Sequence, residues 1–203
     1  MGKEIEKIEM QNGKKIIIDI DNTLWDLSPE LWNHLREVNP DMPPPSQWNR
    51  WDSWEGHVPL RDLMRALRTI HMNQERYSPY PESEFFLNGL KERDFYIIIA
   101  SHRHNETLEP TVHWLNKNRL IFDEVHLSYD KSVLFNHCAG IVDDNPRVLE
   151  KAEEAGIVRA GLLNPWNEDT HHPLFKNLIE VLDFLDSQFG YVAKISRRKS
   201  FLS

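Results

Sequence analysis

The sequence predicts an α/β domain built on a largely parallel sheet, and two observations carry that expectation. Short apolar runs alternate with stretches whose apolar residues recur at helical spacing, and strands separated by helices pair in parallel. The first apolar run also ends in acids, as expected where functional groups gather at the carboxyl ends of parallel strands.

The elements follow in order. Residues 16–20 (IIIDI) read as the first strand. Ser28-Pro29 then supplies a helix start, with Ser28 as N-cap and Leu31, Trp32 and Leu35 at helical spacing. Pro43-Pro44-Pro45 interrupts, and a second helix over 60–71 places Leu60, Leu63, Met64, Leu67 and Ile70 on one stripe, with Arg61, Arg65 and Arg68 off it. Ser78-Pro79-Tyr80-Pro81 closes the stretch. Residues 28–80 are therefore expected to form a small helical cap over the active-site end of the sheet. A helix over 82–93, a strand over 95–100, a weaker strand at 125–127 and a strand at 141–143 come next. They are followed by a helix over 147–155 ending at Gly156, a strand at 158–163 and an amphipathic helix over 173–189. The catalytic core is thus assigned to 14–27 plus 81–190, and 191–203 to a basic tail.

Composition narrows the function. With 203 residues, 32 acids, 24 Lys and Arg and a formal charge of −8, the chain is poorly suited to extended nucleic-acid binding, while a local pocket for a small phosphate remains compatible. One cysteine, Cys138, excludes an intrachain disulfide framework. The N-terminus lacks the apolar core of a signal peptide, and no apolar run is long enough to span a bilayer. A soluble, cytoplasmic protein is expected, and a homodimer is compatible with everything in the chain.

The chemistry centres on Asp19 and Asp21. Side chains alternate along a strand, so these two acids leave its end on the same side. Their repulsion calls for a cation, a shared proton or basic neighbours, an arrangement suited to a magnesium site where one acid attacks a phosphoryl group and the other moves a proton. Strand 95–100 runs into Ser101, His102 and Arg103, candidates for phosphate or substrate contact. Lys131 can neutralise charge around a phosphoryl group. Asp143-Asp144-Asn145-Pro146 puts a second acid pair at a strand end, and hard oxygen ligands from two strands suit Mg²⁺.

The order DxDNT, strand-end Ser, Lys, and apolar strand ending DD resembles the haloacid dehalogenase (HAD) superfamily of phosphotransferases over roughly residues 16–166. The resemblance implies a Rossmann-type three-layer core with a helical cap. It implies Asp19 as the nucleophile forming an aspartyl-phosphate, and Asp21 as the acid that protonates the leaving oxygen and then activates water. Ser101 and Lys131 would bind phosphate, and Asp19, Asp143, Asp144 and the carbonyl of Asp21 would hold Mg²⁺. Tyr80-Pro81, Trp114-Leu115 and Asn164-Pro165-Trp166-Asn167 are further similar to the cytosolic 5′(3′)-deoxyribonucleotidase family and its bacterial and phage relatives, which implies a nucleoside monophosphate substrate. That family usually has Gly followed by Val or Ile where Asn22-Thr23 stand here, and Thr-Ser or Thr-Ala where Ala100-Ser101 stand. Two alternatives remain open: a magnesium-dependent phosphatase-1-like enzyme acting on sugar phosphates or phosphotyrosine, and a polynucleotide 3′-phosphatase.

Other residues admit plainer readings. Trp48, Trp51 and Trp54, beside Trp25 and Trp32, are expected in the cap core before they are expected to stack on a base. His102 with His104, and His171 with His172, lack in sequence the further ligands that zinc needs. The three arginines of helix 60–71 read as a solvated face.

Overall fold

The computed structural model describes residues 14–191. Strands β1 (Lys15–Ile18), β2 (Tyr96–Ser101), β3 (Glu124–Leu127), β4 (Gly140–Val142), β5 (Val158–Leu162) and β6 (Leu174–Phe175) form one parallel sheet in the order β3-β2-β1-β4-β5-β6. The helices are α1 (Ser28–Val38), α2 (Leu60–Met72), α3 (Ser83–Glu92), α4 (Leu108–Lys117), α5 (Pro146–Glu154) and α6 (Leu178–Phe189). Among the described residues, no helix is long and apolar enough to cross a membrane.

Strand alternation sorts the core into two faces. Ile16 and Ile18 pack with Phe86, Leu87 and Leu90 of α3, Trp114 and Leu115 of α4, and Leu182 and Leu185 of α6. Ile17 points the other way, onto Phe135, Val148 and Ala152, which belong to a 3₁₀ segment (Lys131–His137) and to α5. Helices therefore cover both faces of a buried parallel sheet, the arrangement that permits nearly unbroken runs of isoleucine.

The chain leaves β1 toward β2 on one side, while β4 lies on β1's other side, with Ile17 facing both Ile98 and Ile141. The strand order reverses here, and a crevice opens at the carboxyl ends. β1 stops at Ile18, two residues before the predicted end. Asp19 still donates its N–H to the Val142 carbonyl at 2.9 Å, but Ile20 O then accepts from Thr23 and Leu24 to make a turn. Asn22 sits in that turn at φ 55°, a left-handed conformation that Asn tolerates better than most residues.

Ser28 is the first residue of α1 rather than its cap. Asn22 Oδ1 accepts the N–H groups of Leu27 (3.1 Å) and Ser28 (3.2 Å) and the Ser28 hydroxyl (2.9 Å), so the turn after β1 supplies the capping oxygen. Helices α1 and α2 build a separate apolar cluster from Leu35, Met42, Trp48, Val58, Leu63 and Ala66, completed by Trp166 from beyond β5. The chain returns at Tyr80, whose N–H bonds the Leu24 carbonyl at 2.8 Å.

Two further elements differ from expectation. The amphipathic pattern over 173–189 divides: Leu174 and Phe175 join the sheet edge beside β5, and α6 begins only after Asn177, whose Oδ1 accepts from Glu180 N at 3.0 Å. Helix α4 was not anticipated, although it buries Trp114 and Leu115. The basic tail and the N-terminal segment read above lie, apart from Tyr191, outside the described residues.

Gly161 lets β5 approach the carboxyl end of β4. A Cβ there would lie 2.3 Å from the Asp143 carbonyl oxygen. Gly161→Ala should therefore displace the Asp143 backbone and cost about 1–3 kcal/mol, the usual range for overpacking. Urea unfolding of the variant checks this, and an unchanged midpoint would mean that the strands part freely.

Candidate active site

The eight residues singled out in the sequence gather at the carboxyl ends of β1, β2 and β4, and six of them, Arg103 at 1% exposure included, are almost sealed from solvent. Exposure is 4% for Asp19, 1% for Asp143, 2% for Asp144, 3% for Lys131 and 1% for Ser101. Lys131 opens the 3₁₀ segment, with Asp130 Oδ1 capping it by accepting from Ser132 N at 3.1 Å. Its ammonium donates to Asp19 Oδ1 and, at 2.6 Å, to Asp143 Oδ2. The Asn145 N–H donates to Asp143 Oδ1 at 2.9 Å, so this carboxylate is fixed at both oxygens.

Asp144 has no such support. Its Oδ2 is buried without a hydrogen-bond partner, while Asp19, Asp143 and Asp144 each present an oxygen within 4.8 Å of the others. Three buried carboxylates against one ammonium leave an excess of negative charge that water cannot screen. The strain appears in the proton affinities. Burial, together with Asp143 and Asp21, pushes Asp19 up to about 7 against the pull of Lys131. Burial and the charges of Asp19 and Asp143 push Asp144 well above the carboxylate range. A divalent cation ligated by oxygen would relieve the charge excess and satisfy the orphaned Asp144 oxygen, so the donor set fits a hard metal ion.

Asp21 has the opposite surroundings. Arg103 grips it with two nitrogens, at 2.5 Å to Oδ1 and 3.0 Å to Oδ2, while its remaining arm donates to Thr111 Oγ1 at 3.0 Å. Trp25 Nε1 donates to Oδ1 at 2.9 Å and Ser101 Oγ to Oδ2 at 3.2 Å. His71 Nε2 lies 3.2 Å from Oδ2, although its angle is not that of a hydrogen bond. Burial alone would raise this carboxyl, but Arg103 and His71 hold it well below the usual range. Arg103 and Ser101, expected against phosphate, are thus found orienting an acid.

His102 is half-buried beside the site, and burial together with the Lys131 charge pushes its imidazole down to about 4. His102 and Arg103 line a cavity of about 510 Å³ under the inserted helices. Trp48, Trp51, Trp54 and Trp166 form much of its wall, so three of the five tryptophans first noted serve both as insertion core and as cavity lining. Trp25 instead stacks on Tyr77 at 4.9 Å, and Trp32 lies under the Arg36 guanidinium.

Sequence reasoning missed His71 and the local function of the Pro-Trp-Asn segment. Asn167 Nδ2 donates to the carbonyls of Asp144 and Leu162, both at 3.0 Å, and Trp166 Nε1 donates to the Asp144 carbonyl at 3.3 Å. The segment braces the acid loop. Arg68, read as solvated, pairs with Glu106 at the cavity rim. The second histidine pair does gain carboxylates in space: Glu150 and Glu153 approach His171 and His172. Arg159 already fills that cluster, donating to His172 Nδ1 at 3.0 Å and pairing with Glu153.

No family model and no curated protein matches the sequence. Solved structures do. A predicted phosphoglycolate phosphatase from Haemophilus somnus is 15% identical with a TM-score of 0.59, over 87% of this chain and 99% of that one. A HAD-superfamily hydrolase from Ehrlichia chaffeensis is 16% identical with a TM-score of 0.54, over 88% and 98%. A HAD-family hydrolase from Deinococcus radiodurans with bound phosphate and sodium is 14% identical with a TM-score of 0.57, over 87% and 96%.

The chain has the haloacid dehalogenase fold.

In a HAD fold the acid cluster lies where the strand order reverses, and its protonation can be followed through stability. Folding raises the Asp19 pKa from 3.8 to about 7, so the stability it contributes is complete below the unfolded value and is lost as pH rises through the folded one. Asparagine at this position has no such loss. In metal-free protein, Asp19→Asn should therefore be more stable relative to the parent at pH 7 than near pH 4, and added Mg²⁺ should narrow the difference at pH 7. Equal differences at both pH values, measured by urea unfolding, would assign Asp19 an ordinary proton affinity.

Proposed function

We propose that the protein hydrolyses phosphate monoesters with Mg²⁺ through an aspartyl-phosphate on Asp19, and that its preferred substrates are nucleoside monophosphates, the deoxy forms included. The reading rests on one observation above the others: Asp19, Asp143 and Asp144, whose Oδ2 lacks a partner, converge around Lys131 on the floor of the site, next to an aromatic cavity. Asp19 Oδ1 is the attacking atom. Lys131 offsets the repulsion between this carboxylate and an incoming phosphoryl group. Asp19, Asp143 and Asp144, with the Asp21 carbonyl, hold the metal, which when bound supplies charge neutralisation and orients the phosphoryl oxygens.

Asp21 moves the proton, to the leaving oxygen first and from the attacking water second. Its ionised form, held by Arg103, suits the second step directly. In the first, an arriving phosphate dianion adds negative charge nearby and raises the proton affinity of Asp21. His102, adjoining the cavity, contacts the substrate beside the phosphate as a neutral imidazole. The cavity wall supports a nucleotide: four tryptophans suit a planar base by stacking, whereas a sugar phosphate would leave its hydroxyls unpaired against indole.

Phosphate release from ribo- and deoxynucleotides, sugar phosphates, phosphotyrosine and a 3′-phosphorylated oligonucleotide, with and without Mg²⁺, tests both levels. Magnesium-dependent turnover that peaks on nucleoside monophosphates is expected, and a peak elsewhere would keep the chemistry and remove the nucleotide. Asp19→Asn should abolish turnover, and Asp143→Ala should raise the Mg²⁺ requirement sharply. Residual activity above a few per cent in Asp19→Asn would refute the nucleophile assignment.

A further inference from the structure

The groups around the Asp21 carboxylate do not share one origin. Trp25, Ser101 and Arg103 belong to the core, on the turn after β1 and at the end of β2. His71 belongs to α2, in the segment inserted between β1 and α3. Its imidazole is 3% exposed, and its Nε2 has no hydrogen-bond partner; Asp21 Oδ2, 3.2 Å away, is the polar atom it faces. One turn earlier, on the same side of α2, Arg68 pairs with Glu106 just beyond β2. Two side chains three residues apart thus seat α2 on the core, one at the rim of the cavity and one at the buried acid.

Stability alone does not account for His71. It continues the buried stripe of Leu63, Leu67 and Ile70, where leucine would bury apolar surface without desolvating an imidazole. An imperfectly bonded buried polar group is expected where orientation of a neighbour matters more than packing.

We propose that His71 is a positioning residue for Asp21, which makes proton transfer to the leaving group depend on α2 being seated over the site. The inference rests on Asp21 being the proton donor. The imidazole lines the cavity and touches the carboxylate, and its contribution is to the rotamer of Asp21. Core donors hold both oxygens, Trp25 and Arg103 at Oδ1 and Ser101 and Arg103 at Oδ2, and His71 adds a further contact to Oδ2 from the cavity side. With α2 lifted, that contact goes and the carboxylate is left to its core donors alone. With α2 down, the carboxyl is held facing the space that the leaving oxygen occupies.

The test compares leaving groups. A 4-nitrophenolate departs without a proton, whereas an alkoxide needs one, so loss of general acid catalysis falls on alkyl phosphates. The measured quantity is kcat/KM, which reports on steps up to departure of the leaving group, for 4-nitrophenyl phosphate and for the best alkyl phosphate found for the parent enzyme. His71→Leu should lose at least about tenfold more on the alkyl substrate than on the aryl one, a fraction of the 10²–10⁴ that general acids supply. It should do so without a fall in Tm. His71→Gln, whose amide reaches the same place, should recover most of the difference, and His71→Met replaces the leucine variant should that one not fold. Equal losses on both substrates, or none, overturn the proposal. Asp21→Asn separates the two levels. If it too fails to discriminate, the proton-donor assignment falls and this inference with it. If it discriminates and the His71 variants do not, this inference alone falls.

Discussion

Lys131 lies between Asp19 and Asp143, and the placement of everything around it follows from that contact. Adjacent parallel strands β1 and β4 deliver their acids to one spot because the strand order reverses there. Two carboxylates brought together out of water would drive the strand ends apart, and a buried ammonium bonded to both prevents it. Such an arrangement is a poor source of net stability, since desolvation of the charges cancels most of their attraction, yet removing one partner typically costs about 3–5 kcal/mol. The hydrophobic sheet supplies the stability, and the ion cluster consumes part of it for chemistry.

The two acids of the opening motif show how environment divides labour between identical side chains. Asp19 faces other carboxylates and holds its proton more firmly, whereas Asp21, two residues on, faces an arginine and releases its proton readily. Nothing in the DxD spacing distinguishes them. The difference arises from burial and the Asp143 charge at Asp19, which outweigh the pull of Lys131, and from Arg103, 82 positions from Asp21.

Much of the sheet and the acid site was legible because local and long-range demands coincide there. Apolar runs of isoleucine cannot be anything but buried, and acids directly after them must sit at strand ends. Legibility failed where a local pattern had two solutions. Leu174 and Phe175 satisfy a helical stripe as well as a strand pair, and only Asn177, as a cap, decides that α6 begins later. Helix α4 escaped because its buried residues are few and a 3₁₀ turn precedes it. His71 left one faint signal, a polar residue on an apolar stripe. Its meaning depends on a carboxylate fifty residues earlier, which periodicity cannot report. Arg103 was noticed as a candidate for phosphate or substrate contact, but its pairing with Asp21 was not foreseen, since sequence shows that a guanidinium is near the site and not which anion it chooses.

The bracing loop after β5 bears on how the proposed activity can change. Trp166 both bonds the backbone of Asp144 and packs against Trp48 and Trp51 in the cavity wall, with ring centroids 6.3 Å from each. Under the proposed function, substrate preference and ion affinity therefore share a hinge point in mutational space. A lineage drifting toward a new leaving group can vary Trp51 or Trp54 at little risk to the acids. Substitution at Trp166 would disturb both properties together, so this indole is the place where diversification of the pocket is expected to stall.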